Sequence, residues 1–141
     1  MPLPVLPPSL QRWLPLGTAV ALAAGAAVVL HHVNPYADGN PLPSCPLYAL
    51  TGLYCPGCGS TRCLYSLVHG DLAGAMAMNP LLVMSLPFLL LMLLNGAGVR
   101  MRVLDPLIRM LANPMMWLVV LLGYAVLRNL PWAPFMALAP G

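Results

Sequence analysis

Four cysteines, Cys45, Cys55, Cys58 and Cys63, fall in the pattern C-x9-C-x2-C-x4-C, and the 141-residue chain has no others. The centre of this cluster reads "CPGCGSTR", residues 55–62. Three kinds of chemistry use thiols spaced in this way. The first is metal binding. A Cys-Pro-x-Cys-Gly turn brings two sulfurs onto one ion, and Gly59 lets backbone N–H groups turn toward them. Zinc takes four thiolate or imidazole ligands at about 2.0–2.3 Å. On this reading Cys45, Cys55 and Cys58 are metal ligands, Cys63 or His69 is the fourth, and His31 and His32 are more distant candidates. The second is a disulfide. In an oxidising compartment an even set of thiols pairs, here in any of three connectivities. A bridge from Cys45 to Cys55 or Cys58 would close a short loop, worth about 2–3 kcal/mol. The third is redox catalysis by Cys55 and Cys58, which stand just before a helix start where the helix dipole and Arg62 lower a thiol's pKa.

Other chemistry finds little support. No H-E-x-x-H, G-x-x-x-x-G-K-[ST] or G-x-S-x-G signature occurs. The ten methionines are dispersed through apolar stretches, where gap-filling accounts for them. The formal charge of +3 is scattered, so nucleic acid is excluded as a partner.

The elements that must position the thiols follow from composition. Hydrophobic residues make up 60% of the chain and charged residues 6%, against about a quarter charged in a soluble domain. The lipid bilayer is therefore the expected partner. Three apolar spans approach the length of about 20 residues that a crossing needs. They predict an all-α, polytopic integral membrane protein with a short-helix, Cys-rich loop between the first and second crossings. The expected divisions are a Pro-rich tail over 1–13, a first transmembrane helix over 14–32, the Cys-rich loop over 33–79 and a second transmembrane helix over 80–98. An Arg-rich cytoplasmic loop follows over 99–112, then a third transmembrane helix over 113–130 and a tail over 131–141. The rival for the first span is a cleaved signal peptide, but its apolar run is longer than a signal core of about 7–15 residues. In the third span Arg128 is expected to snorkel to the interface beside Trp132. Pro87 in the second span should kink the helix and free the carbonyl of Val83, for which Ser85 or a neighbouring helix is the expected partner.

Arginine placement sets the orientation. Arg100, Arg102 and Arg109 in the loop between the second and third spans place that loop in the cytoplasm and the Cys-rich loop outside. Within the Cys-rich loop, Ser60 or Thr61 is expected to cap a short helix and Gly70 to end it in a left-handed conformation. Asp71 caps the next short helix and is within reach of Arg62. Asn79-Pro80 and Asn113-Pro114 each combine an N-cap with a proline at the first helical position.

The run "CPLYALTGLYCPGCGSTRCLYSLVHGDLAGAMAMNPL", Cys45 to Leu81, resembles a family of small bacterial membrane proteins classed as a domain of unknown function. The residues that carry the resemblance are Cys45-Pro46, Thr51-Gly52, Cys55 to Gly59 with Thr61-Arg62, Gly70-Asp71 and Asn79-Pro80. The ending "VLRNLP", with Arg128-Asn129, is also similar. The resemblance implies an architecture and no activity. It implies three cysteines, with a small residue such as Ala where this chain has Cys63, and a structural unit built on Gly57, Gly59, Thr61, Arg62, Gly70, Asp71, Asn79 and Pro80.

Together these readings give a non-enzymatic accessory or scaffold component of a bacterial inner membrane. Its extracytoplasmic Cys-Pro-Gly-Cys-Gly loop is closed by zinc or a disulfide, and its partner is a membrane protein or a second copy. The alternative is a membrane thiol–disulfide oxidoreductase using Cys55 and Cys58. Small residues in "GTAVALAAGAA" permit close helix packing within or between chains.

Overall fold

Proline and asparagine mark the helix starts, as their chemistry requires. In a computed structural model, residues 7–37, 39, 42, 45–99 and 102–139 are described. Asp38 and Arg100 lie outside these residues. The described chain is all-helical: α1 (Pro8–His32), α2 (Pro46–Thr51), α3 (Ser60–Val68), α4 (Leu72–Met78), α5 (Pro80–Ala97), α6 (Asp105–Leu111) and α7 (Pro114–Arg128). Short 3-10 turns cover Arg102–Leu104 and Phe135–Leu138. Five of these seven α-helices carry proline in the first turn, where its missing N–H has no intrahelical partner to lose.

Two helices, α1 and α5, are long and apolar enough to cross a membrane. Helix α1 begins at Pro8, so much of the expected Pro-rich tail is helical, and Pro15 is accommodated inside it. Val20, Leu22, Leu90, Val119 and Leu122 each expose more than half of their surface. Such a surface is costly in water and suits lipid. The two helices pack antiparallel: the Arg12 guanidinium, near the start of α1, lies against Gly98 at the end of α5. Gly98 has φ 95° and closes α5 with two bonds, its N–H to the Asn95 carbonyl at 2.9 Å and Val99 N–H to the Leu94 carbonyl at 3.0 Å. A cation at this end complements the last carbonyls of the helix. Helix α5 runs without interruption through Pro87. The Ser85 hydroxyl donates to the Leu82 carbonyl at 2.8 Å, not to that of Val83 as the sequence suggested.

The third crossing departs from a single straight span. Helix α7 has 15 residues and at 1.5 Å per residue extends about 22 Å, short of a hydrocarbon core of about 30 Å. The segment Arg102–Leu111 joins it at a 60° bend, and only the pair taken together makes a third crossing. The stretch expected to be an Arg-rich loop therefore carries α6. A break flanked by apolar residues exposes backbone groups that lipid cannot satisfy. Asn113 Oδ1 accepts from Met115 N–H at 3.0 Å, and Trp117 Nε1 donates to the Leu111 carbonyl at 2.7 Å. Asn113 was legible as a cap; the indole's part was not.

Helix α3 packs on α4, α1 and α5, and α4 packs on α5. The buried polar and sulfur-bearing side chains Cys58, Cys63, Ser66, Asn79 and Arg128 lie at or beside this junction, with Ala75 and Tyr124.

Candidate metal centre

The thiol cluster is built on turns that the sequence forces. Helix α2 starts directly after Cys45 and stops at Gly52, whose φ of 72° is left-handed. The chain then reaches a turn in which Cys58 N–H donates to the Cys55 carbonyl at 3.1 Å, and a second in which Ser60 N–H donates to Gly57 at 3.1 Å. Gly59, with φ 78°, is itself the N-cap of α3. The expected cap, Ser60 or Thr61, is displaced by one or two residues. A left-handed glycine reverses the chain in a single step, and no side chain then needs to cap. Ser60 is the first helical residue, and its hydroxyl faces Asn79.

Three sulfurs meet here. Cys45 Sγ lies 3.3 Å from Cys55 Sγ, Cys55 Sγ lies 3.2 Å from Cys58 Sγ, and all three fall within 4.8 Å of one another. Cys55 N–H donates to Cys58 Sγ at 3.2 Å. All four cysteines are free thiols, Cys45 and Cys55 half-buried, Cys58 and Cys63 buried. Zinc–sulfur bonds of about 2.3 Å in a tetrahedral site set sulfurs about 3.8 Å apart, so the thiols would need to spread by about 0.5 Å. A disulfide at about 2.05 Å would need a contraction of more than about 1 Å. The donor set therefore fits a metal with the smaller adjustment. Soft thiolates suit zinc or copper(I), and not magnesium or calcium.

Neither expected fourth ligand joins this group. Cys63 is fully buried and its thiol donates to the Asn79 carbonyl at 3.7 Å. His69, at the far end of α3, has Nδ1 2.9 Å from the Tyr65 carbonyl. Its ring stacks on His31 at 5.6 Å between centroids, and His31 meets His32 edge-on at 5.4 Å. The chain's three histidines thus gather with one another, apart from the sulfurs.

The thiols differ in acidity. The backbone N–H of Tyr48 lowers Cys45 to about 7, helped by hydrogen bonds from Cys58 and Cys55. Burial, followed by the bonds to Cys45 and Cys55, pushes Cys58 up to about 12. Burial also raises Cys63. A first negative charge in the cluster therefore settles on Cys45, at the start of α2.

Three polar side chains brace the turn from outside. Asn79 caps α5 by accepting from Leu82 N–H at 3.1 Å, as expected. Its amide also reaches the Pro56 carbonyl at 3.1 Å, the Cys58 carbonyl at 3.4 Å and Ser60 Oγ at 3.3 Å, while Tyr124 O–H donates to its Oδ1 at 3.3 Å. Asn129 grips Tyr54 on both sides, accepting from its N–H at 2.9 Å and donating to its carbonyl at 2.8 Å. Arg128 is 2% exposed. It donates to the carbonyls of Leu138 at 2.8 Å, Met78 at 3.2 Å and Cys55 at 3.3 Å. It does not snorkel toward Trp132: three carbonyls, in the thiol turn, at the end of α4 and in the C-terminal 3-10 turn, hold its fork instead. The bracing roles of Tyr54, Tyr124 and Asn129 had no sequence signal beyond the resemblance that includes Arg128-Asn129.

The remaining motif residues are local. Gly70, with φ 76°, ends α3 as expected: Asp71 N–H donates to Ser66 at 2.8 Å and Gly70 N–H to Leu67 at 3.1 Å. Asp71 Oδ1 caps α4 through Gly74 N–H at 2.8 Å. This cap stands in place of the expected Arg62–Asp71 pair, and the Arg62 guanidinium lies over the Tyr36 ring at 5.0 Å.

One protein-family model matches the chain, over residues 45–93. Its description is "Protein of unknown function (DUF2752)". The matched segment starts at the first thiol of the cluster, includes Asn79 and ends inside α5; Arg128 and Asn129 lie beyond it. No curated protein matches, and no solved structure does.

Proposed function

We propose that Cys45, Cys55 and Cys58 hold one zinc ion that closes a cap on a membrane helix bundle. The protein then acts as a non-enzymatic accessory or scaffold subunit in a bacterial cell membrane. The observation that carries this reading is the group of three sulfurs within 4.8 Å of one another. Three thiolates leave the fourth position of a tetrahedral ion to water or to a donor from another chain, which suits a subunit that works against a partner. Arginine counting supports an outward-facing cap. Elemental analysis of protein purified without added metal tests the proposal: one zinc per chain is expected, and it should be lost in Cys45→Ser. Maleimide labelling supplies the second arm. Thiols unmasked by a chelator support the zinc site, whereas thiols unmasked only by a reductant would replace it with a disulfide.

The 3.2 Å contact between Cys55 and Cys58 favours a second reading, a thiol–disulfide oxidoreductase. Burial of Cys58 weighs against it, since a thiol held near 12 is a poor nucleophile at neutral pH. If Cys55→Ser and Cys58→Ser leave the redox state of partner proteins unchanged, this second reading fails.

A further inference from the structure

Arg128 raises a problem of charge. It is 2% exposed, and its partners are three backbone carbonyls and the rings of Tyr54 at 5.9 Å and Tyr124 at 5.2 Å. Carbonyl dipoles and ring faces satisfy its N–H groups but carry no net charge. A buried cation without a counter-charge is costly, by several kcal/mol. The chain holds three acids, Asp38, Asp71 and Asp105. Asp71 is committed to capping α4, and Asp105 sits in the first turn of α6 on the far side of the α5 span. Among the described residues, no carboxylate pairs with Arg128.

Its one contact with the thiol turn is through backbone. Arg128 Nη1 donates to the carbonyl of Cys55, the central member of the thiol group, in contact with both Cys45 and Cys58. A divalent ion on three thiolates carries one net negative charge. One arginine balances it.

We propose that Arg128 is the counter-cation of the metal–thiolate centre, a positioning residue that favours three ionised sulfurs on one divalent ion. This rests on the zinc reading above. It also explains why three thiolates suffice: a fourth would leave a second negative charge with no buried cation to meet it.

The test measures zinc affinity of full-length protein in detergent, by competition against a chromophoric chelator. Three variants are compared with the wild type. In a medium of effective dielectric about 20, a unit charge within about 10 Å changes affinity by about tenfold or more. Arg128→Gln, which removes the charge, should weaken zinc binding by at least about tenfold. Arg128→Lys, which keeps the charge and loses the planar fork, should bind within a few-fold of wild type. Asn129→Ala removes both clamps on Tyr54 without altering charge and should weaken binding by less than the tenfold expected of Arg128→Gln. If Gln and Lys weaken binding equally, the fork's hydrogen bonds hold the site and the charge proposal is overturned. If Asn129→Ala loses as much as Arg128→Gln, loop tethering explains the effect and the charge proposal is likewise overturned. When Arg128→Gln does not fold, the Lys and Ala variants still decide: a tenfold loss in either overturns the proposal. A wild-type protein that binds no zinc removes the zinc reading itself, an outcome distinct from wild-type binding with indifferent Arg128 variants.

Discussion

Asn79→Asp separates two jobs that one side chain performs. The cap on α5 needs only an oxygen facing Leu82 N–H, at 3.1 Å here, and a carboxylate serves at least as well. Negative charge at a helix start is favourable by about 0.3–1 kcal/mol. Were capping the whole role, the variant would be neutral or slightly stabilised. The amide nitrogen, however, faces the carbonyls of Pro56 and Cys58 at 3.1 and 3.4 Å. An aspartate puts an oxygen against two oxygens with no proton between them. Two lost hydrogen bonds cost about 1 kcal/mol each, and buried acceptors left bare cost about 1–3 kcal/mol each. Set against the small gain at the cap, a net loss of about 3 kcal/mol is expected. Denaturant unfolding in detergent measures it, and maleimide labelling of Cys63 localises it. That thiol is fully buried against the Asn79 carbonyl and should become reactive when the turn lifts. Asn113→Asp is the control, because Asn113 is exposed and its side chain only caps Met115; it should be neutral or mildly stabilising. An Asn79→Asp protein as stable as wild type, with Cys63 still protected, would refute the argument that tertiary bonds outweigh the cap.

Further outcomes follow from the same geometry. In metal-free protein the alkylation rate of Cys45 should rise through about pH 7, and that of Cys58 only far above it; equal profiles by mass-resolved iodoacetamide labelling would contradict the assigned acidities. Since folding lowers Cys45 from 9.0 to about 7, its contribution to stability is complete above pH 9 and lost as pH falls through about 7, which unfolding midpoints across that window check. Trp117→Phe keeps the bulk but leaves the Leu111 carbonyl bare at the break, costing about 1–3 kcal/mol; unfolding at the wild-type midpoint would show that the indole bond is dispensable. Gly59→Ala forces a Cβ into a left-handed backbone, costing about 1–2 kcal/mol, and should loosen zinc binding in the same competition assay.

Much of the architecture was legible because membranes and helix ends impose local rules. A long apolar run has few alternatives to a spanning helix, so α1 and α5 stand nearly where hydropathy puts them. Asn79, Asn113, Asp71 and Gly70 do what their types and neighbours dictate, since a cap or a left-handed turn involves residues only a few positions apart. The misplaced cap at Ser60 or Thr61 is instructive: both residue types can cap, but Gly59 between the knuckle and α3 had already turned the chain. The bend in the third candidate crossing was hidden for a related reason. Hydropathy measures how apolar a segment is and is blind to a 60° bend at Asn113-Pro114.

The amino-acid sequence alone determined the helices, their caps, and the presence of three thiols on tight turns. Which donors meet was left to the tertiary structure. Cys63 is five residues from Cys58, yet it lies in the first turn of α3, which directs its thiol to Asn79, away from the other sulfurs. Arg128 is 73 residues from Cys55 and touches its carbonyl. Local propensity fixes direction over a few residues; contact between distant segments depends on how the end of α7 meets the thiol turn and the end of α4. That packing turned an arginine expected at the lipid interface into a buried charge hydrogen-bonded to the thiol turn.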